Sequence, residues 1–420
     1  MVVELYKPFI HQKDVHKAIT DHINTVDRFT EDFQKTFVVK AMRQVGKSAL
    51  AENELLRFAL EFNASKNGYI APTFNLSKKT YRELKKILLN TGLVKNSNGS
   101  DLIIELINGS TINFFSAEQG DNLRGFTISG LLVVDEAAFI KDDVYSEHIS
   151  PWTDFHKAVT LIISTPKFYQ GFFYNLYLDG LDEDNLMVDS FDWSNYDLSF
   201  IRSDEMLEAK RKTMPLIKFQ SEYLGLFIKG EGSVFSNFNH LVLDGNRESN
   251  MNELYFGLDW ATGSNKDSTV LIAFNGLGEL CYIWATNNMQ PTQQIEHIVD
   301  IIKGFGSKVK GFIAEENSIG KVYLDMLKKN NIKVTAFNTT NKSKRKLVED
   351  FQVAIEQDLI KLIKNDILAL QLSSYESKVT NSGNMTYNAP DGMNDDYVIA
   401  SMLAYKAYKE RKNNIRISFI

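Results

Sequence analysis

Two stretches of this chain hold the residue types that phosphate chemistry requires. In "KAMRQVGKSAL" (residues 40–50), Gly46, Lys47 and Ser48 end a loop that follows the apolar run "TFVVK". A phosphate-binding loop needs small residues so that backbone N–H groups can wrap the phosphates. It also needs a lysine for the β- and γ-phosphates and a hydroxyl for Mg²⁺. Ala41 stands where such a loop usually opens with glycine, so the tripeptide by itself fits an ordinary strand-loop-helix equally well. The second stretch, "GLLVVDEAAF", is an apolar run that ends in Asp135-Glu136. An aspartate at a strand tip can hold Mg²⁺ through water, and the neighbouring glutamate can polarise the attacking water. A single acid there would read as a cap on a turn. An Asp-Glu pair after a buried strand, in the same half as the GKS tripeptide, points to an ATPase with its catalytic glutamate on a strand.

Further residues fit around this pair. The run "TLIIS" leads into Ser164-Thr165-Pro166, placed to sense a γ-phosphate and couple its hydrolysis to movement. Arg124, in "QGDNLRGF", suits an arginine finger and equally a plain surface arginine. Gln12, upstream of the loop, stands where a glutamine could read the edge of adenine.

A second constellation is made of acids. Asp259 closes the apolar run "YFGLDW", Asp267 opens the next one, Glu315 and Glu316 close "GFIAEE", and Asp395-Asp396 open the last helical stretch. Acids at the ends of neighbouring strands and at a helix start can converge on one point. Carboxylate oxygens suit Mg²⁺ or Mn²⁺, and two such ions clamp both the attacking and the leaving oxygen of a phosphodiester. Each acid also has a plain reading as a cap, a turn residue or a solvated strand end. The order strand-acid, hairpin, strand-acid, late helix-acid is the layout of a ribonuclease H-like nuclease.

These residues need a scaffold of the α/β class. Strands are expected at 36–40, 68–73 and in the two runs ending at Asp135 and Ser164, with helices at 48–62 and 76–90. A hairpin is expected around Asn108-Gly109. The two continuous apolar runs read as central parallel strands. Residues 226–250, rich in glycine, serine and asparagine, read as a linker; 1–225 form one domain, with a helical subdomain drawn from the N-terminal segment and about 167–225, and 251–420 the other. Within the second, helices are expected at 291–303, 319–329, 343–356 and from about 394. At 420 residues, two domains are the ordinary expectation. The single cysteine, Cys281, excludes an internal disulfide and a cysteine-built metal site. No apolar run reaches the length of a membrane span, and the N-terminus lacks the pattern of a signal peptide. A net charge of −6 argues against a protein that simply coats nucleic acid, so local cations such as "NKSKRK" (341–346) and Lys378 would carry any DNA contact.

Together, "KAMRQVGKS", "YIAPT", "LRG", "LLVVDEAAF", "IISTP", "FQSEYLGLF", "GLDWATGSNKDST", "EENSIG" and "NDDYVIASMLAY" resemble the large terminase subunit of tailed bacteriophages. The resemblance implies an N-terminal P-loop ATPase domain of the additional-strand, catalytic-glutamate type and a C-terminal ribonuclease H-like nuclease domain. It makes Ala41 a family variant and places an arginine at Arg43. The ATP-contacting set it implies is Gln12, Arg43, Gln44, Val45, Gly46, Lys47, Ser48, Ala49 and Asp135, with Ser48 and Asp135 on Mg²⁺ and Glu136 as catalytic base. Arg124 or Arg43 would stabilise the transition state. In the nuclease half Asp259, Glu315 and the Asp395-Asp396 pair are the implied catalytic metal ligands, with Asp267 a supporting acid and Glu316 the alternative to Glu315. Many relatives carry a histidine before the last pair, where this chain has Asn394. Implied partners are double-stranded DNA, a portal protein and a small terminase subunit, with a homo-oligomeric ring, commonly a pentamer, when assembled and a monomer allowed in isolation; no membrane is involved. The implied location is the cytoplasm of the infected bacterium, transiently at the procapsid portal and not in the mature virion. A helicase or DNA-remodelling ATPase fused to a nuclease shares the first constellation, and a non-enzymatic scaffold with structural carboxylates is a further reading.

Overall fold

Strands that are buried on both faces read as unbroken apolar runs, and this chain uses them where its phosphate motifs begin and end. The computed structural model describes residues 6–413 apart from 29, 90, 231, 236, 244–249, 262–266, 317–319 and 381–384. Its contacts divide into two compact units, Met1–Leu207 with Ile217–Lys229, and Glu208–Leu216 with Gly230–Ile420.

The first unit holds helix α1 (Ile10–Thr25), β1 (Thr36–Lys40), α2 (Lys47–Glu61), β2 (Lys66–Ala71), α3 (Phe74–Leu88), β3 (Val94–Asn98), β4 (Ile103–Leu106), β5 (Thr111–Ser116) and β6 (Leu131–Asp135). A single turn α4 (Asp142–Val144), β7 (Val159–Ser164), α5 (Phe172–Asp179) and β8 (Val188–Asp192) follow, then α6 (Asp204–Arg211), divided between the units at Leu207, and α7 (Leu216–Leu224), all but its first residue in this unit. Among the described residues one sheet runs β3-β4-β5-β2-β6-β7-β1-β8. From β5 to β8 all neighbours are parallel, and β3-β4-β5 form an antiparallel edge. The β4–β5 turn holds Gly109 at φ 83°, as the Asn-Gly signal implies. Strands β6 and β7 are central and buried along their whole length. Register puts Lys40 beside Ser164 and Asp135 beside Ile163, so β1, β6 and β7 end at one edge. Helix α2 buries Leu50, Ala51, Leu55, Leu56, Phe58 and Ala59 on the sheet side. Each large apolar side chain among them contributes roughly 1.5–3 kcal/mol when fully buried, which is what fixes a helix start over that edge.

The second unit holds β9 (Gly232–Ser233), β10 (Val242–Leu243), β11 (Leu254–Asp259), β12 (Thr269–Asn275), β13 (Leu280–Thr286), α8 (Pro291–Phe305), β14 (Val309–Glu315) and α9 (Gly320–Lys329). It continues with β15 (Thr335–Phe337), α10 (Asn341–Glu356), β16 (Leu362–Ile363), α11 (Asp366–Ser374), β17 (Glu376–Val379), β18 (Met385–Asn388) and α12 (Asp396–Asn413). Its main sheet runs β13-β12-β11-β14-β15, with β12 antiparallel to β11 and β13, and β14 parallel to β11. A smaller sheet joins β18, β17 and β9. Helix α12 lies directly on β11: a Cβ on Gly257 would sit 2.2 Å from the Ala400 carbonyl oxygen and the Ala404 nitrogen. Only glycine permits that approach.

Within the stretch read as a linker, Val234, Phe235, Phe238 and Leu241 are buried in the core of this second unit. Its 244–249 lie outside the described residues. The aromatic side chains there outweigh the turn-forming composition, because burying them stabilises more than the small polar residues cost.

Candidate functional site

In the first unit, the loop between β1 and α2 turns through two left-handed residues, Gln44 at φ 62° and Gly46 at φ 89°. Gly46 is the residue before α2, so the free N–H groups of that helix open onto the loop. A Cβ at Gly46 would also lie 2.5 Å from Gln12 Nε2. Ala41 is fully buried, and its N–H donates to the Ser164 carbonyl at 3.0 Å. It continues the β1–β7 ladder with its methyl in the core, so nothing at this position calls for glycine.

Lys47 is buried and reaches back over the loop. Its Nζ donates to the Met42 carbonyl at 2.9 Å and to Thr165 Oγ1 at 3.1 Å, and lies 4.0 Å from Glu136 Oε1. Thr165 in turn donates to Glu136 Oε2 at 3.5 Å. Burial lowers the proton affinity of Lys47, while Glu136 and Asp135 oppose that change. Asp135 accepts from Tyr69 at 2.6 Å and from the Glu136 N–H at 2.8 Å. Burial, reinforced by Glu136, pushes its pKa up to about 6. Glu136 itself has φ 48°, a conformation non-glycine residues seldom adopt, on the turn that leaves β6. Ser164 Oγ accepts from the Ala138 N–H at 3.0 Å and donates to the Thr165 carbonyl at 2.9 Å, stapling the end of β7 to that turn. Ser221 Oγ donates to the Pro166 carbonyl at 2.6 Å.

The other expected residues fall into two groups. Gln12 is buried with its amide engaged: it donates to the Gly46 carbonyl at 2.9 Å and accepts from the Phe9 N–H at 2.8 Å. Its place braces the loop. The Val45 carbonyl pairs with His11 Nε2 at 2.9 Å, Ser48 is exposed beside Lys47, and Ala49 follows in the first turn of α2. Arg43 is exposed and tied to Glu222 twice, backbone to backbone at 2.9 Å and Nη1 to carboxylate at 3.1 Å. Arg124 is held by His148 at 3.3 Å, Asp121 at 3.4 Å and Glu147 at 3.8 Å, partners outside the phosphate loop. Sequence reasoning missed Tyr69, Ser221 and Glu222. A tyrosine inside a buried parallel strand needs a polar partner, which was the available signal for Tyr69.

In the second unit the ends of β11 and β14 bring Asp259 and Glu315 together, both buried. Burial first, then the neighbouring Glu315 carboxyl group, Asp396 and Asp395, push Asp259 well above the usual carboxylate range. Thr339 donates to Glu315 Oε1 at 2.5 Å. Asp396, in the first turn of α12, accepts from the Ser268 N–H at 2.8 Å, and burial raises its pKa to about 6. Asp267 adds negative charge there. Asp395 is raised by burial and opposed by Lys344, whose Nζ lies 3.7 Å away and also donates to Asn388 at 2.9 Å. Asn394 donates to Asp396 at 3.4 Å.

Glu316 follows the end of β14, and its N–H donates to the Phe337 carbonyl at 2.8 Å. Alternation along β14 turns adjacent side chains to opposite faces. Asn317, part of "EENSIG", lies outside the described residues. Of the cations in "NKSKRK", Lys344, Arg345 and Lys346 pair with Asp395, Glu349 and Asp350, and Lys378 pairs with Glu376. Among the described residues no three acids form a ready-made metal cage. The donor set nevertheless fits a hard divalent cation: all are carboxylate oxygens, and burial with like charge raises Asp259, Asp395 and Asp396 above the usual carboxylate range. Among the described residues no helix is long and apolar enough to cross a membrane.

The fold and these two constellations define a protein with an N-terminal α/β domain built around a P-loop and a C-terminal RNase H-like domain. Residues 40–241 match the family described as terminase large subunit, T4likevirus-type, N-terminal, and residues 256–407 match the terminase RNaseH-like domain. The chain belongs to the large subunits of phage terminases. It is 25% identical over 319 residues to the large terminase subunit of Thermus phage G20c, covering 70% of this chain and 64% of that protein. To the large terminase subunit of Escherichia phage T5 it is 30% identical over 213 residues, covering 50% and 48%. The chain thus spans less than two thirds of the length of these curated relatives. The large terminase of a thermophilic bacteriophage, solved in complex with ADP, shares the fold with a TM-score of 0.57 at 18% identity, covering 98% of this chain and 100% of that one.

Proposed function

We propose that this chain is a viral DNA-packaging motor, in which ATP hydrolysis drives double-stranded DNA into a procapsid and a metal-dependent endonuclease cuts concatemeric DNA at initiation and termination. The observation that carries the reading is the Lys47–Thr165–Glu136 chain beside Asp135 at the edge of a parallel sheet. In that reading Lys47 and the α2 N-terminus receive the nucleotide's phosphates, and Gln12 holds the loop in shape. Ser48 and Asp135 hold Mg²⁺, and Glu136 accepts the proton of the attacking water. Bound phosphate competes with Thr165 for Lys47, so Thr165 and Pro166 feel the γ-phosphate and pass its loss to α7 through Ser221. Arg43 completes the charge stabilisation from the same chain, or Arg124 from a neighbouring subunit in a ring. Such a ring is built from head-to-tail contacts that close.

In the second unit Asp259, Glu315, Asp395 and Asp396 would hold Mg²⁺ or Mn²⁺, with Asp267 supporting Asp396. The ions supply a nucleophile at neutral pH and neutralise the leaving oxygen. Lys344, Lys342 and Lys378 face the DNA backbone. A portal protein and a small terminase subunit complete the assembly, located in the host cytoplasm and transiently at the portal. The test combines purified chain, DNA, procapsid and ATP. DNA protected from nuclease only when ATP is hydrolysed is expected; ATP-driven strand separation without protection of DNA overturns the motor assignment.

A further inference from the structure

Arg202 belongs to none of the motifs above. It is only 5% exposed, in the segment after β8, with its N–H bonded to the Leu198 carbonyl. Its Nη2 donates to the Tyr223 carbonyl, and the guanidinium carbon lies 5.7 Å from the centre of the Tyr223 ring. Its Nε is buried and has no hydrogen-bond partner among the described residues. Nor does the charge meet a carboxylate among them: the one ionisable neighbour that favours it is Tyr223, and burial opposes it.

A buried guanidinium without a counter-charge is costly, and its orphaned donor adds to that cost. Lys40, a buried cation at the same sheet edge, shows the ordinary solution. It pairs with Asp192 at 2.7 Å and donates to the Gly225 carbonyl at 3.0 Å. Arg202 lacks such an outlet among the described residues, yet its place is close to the phosphate loop. Tyr223 follows Glu222, whose carbonyl accepts the Arg43 N–H and whose carboxylate pairs with the Arg43 side chain. The positive charges of Arg43 and Arg202 both bear on Lys47.

We propose that Arg202 is a further nucleotide-binding residue, whose unsatisfied Nε edge contacts the polyphosphate of a nucleoside di- or triphosphate held by the 41–48 loop. The missing counter-charge is then the nucleotide itself, and the planar fork suits a phosphate oxygen pair. The Tyr223 carbonyl holds the other end of the guanidinium, so α7 sets its aim. The inference rests on reading that loop as the nucleotide site.

The experiment measures binding of MgADP and of MgATPγS by calorimetry, with thermal melting of the full chain, for Arg202→Gln, Arg202→Lys and Lys47→Ala. Arg202→Gln is expected to melt at or above the wild-type temperature without nucleotide and to bind both nucleotides tenfold or more weakly. Arg202→Lys keeps the charge but loses the fork, and is expected to recover only part of the affinity. Unchanged affinity in folded Arg202→Gln, or in Arg202→Lys if the first variant does not fold, overturns the proposal and leaves Arg202 a clip on Tyr223. If Lys47→Ala also binds as wild type, the nucleotide reading of the loop fails; if Lys47→Ala loses binding while Arg202→Gln keeps it, only the role of Arg202 fails.

Discussion

The two acidic sites differ in what their carboxylates meet. In the first unit Asp135 and Glu136 find Tyr69, Thr165 and Lys47, so opposite charge and hydroxyl donors are already in place. In the second unit Asp259 meets Glu315, Asp395 and Asp396, like charges that together with burial push it well above the usual carboxylate range. The first is a polar network whose donors and acceptors are satisfied within the chain before any ligand arrives. The second is a store of like charge that a cation relieves. One site is organised by its own residues, the other by what it binds.

The largest test of that contrast is Asp259→Asn. It should abolish metal-dependent DNA cleavage, leave ATP hydrolysis intact, and remove most of the rise in melting temperature that Mn²⁺ produces. Loss of both activities together would show a folding defect instead. Next, Glu136→Gln should lower ATP turnover by about 10²–10⁴-fold, the usual range for a general base, with MgADP binding and DNA cleavage unchanged. Gly257→Ala pushes a methyl into the backbone of α12 and should destabilise the second unit by about 1–3 kcal/mol in urea unfolding, without shifting the first.

A smaller effect follows from pH. Asp396 holds its proton to about pH 6 when folded and to about 3.9 when unfolded. Between those values the folded chain binds more protons, so its stability must fall as pH rises through the window and level off above it. Asp396→Asn should flatten that fall, and Mn²⁺ should offset it at pH 7.5. Urea midpoints at pH 4.5 and 7.5 read both effects, and a midpoint rising over this window through Asp396 would break the comparison. The smallest change is expected at Ala41→Gly, roughly 0.5–1 kcal/mol from added backbone freedom, with ATP turnover retained.

The parallel strands and their acids were legible because period and position carry the signal: "LLVVDEA" is apolar without interruption and stops at Asp135. Polar edge strands were not. Strand β8, "VDSFD", and the β17–β18 hairpin, "ESKV" and "MTYN", alternate too weakly to stand out, and they form only because a neighbouring strand offers its free edge. Helix α11 was overlooked for a related reason, since only Leu368, Gln371 and Leu372 of its nine residues are buried. Glu315 and Glu316 could not be told apart in the sequence, because the strand's facing is decided by its register against β11. Arg202 had no signature at all. Its meaning comes from burial and an empty donor, which only packing reveals.

The contact at Gly257 has a mechanical consequence for the second unit. With β11 and α12 touching backbone to backbone, strand and helix behave as one solid block, and the first and last acids ride on its two arms. The distance between their backbone anchors is thus set by the main chain. Adjusting the site to a larger or smaller ion then falls to the side chains on and around the block, among them Thr339 on Glu315 and Lys344, held by Asn388, on Asp395.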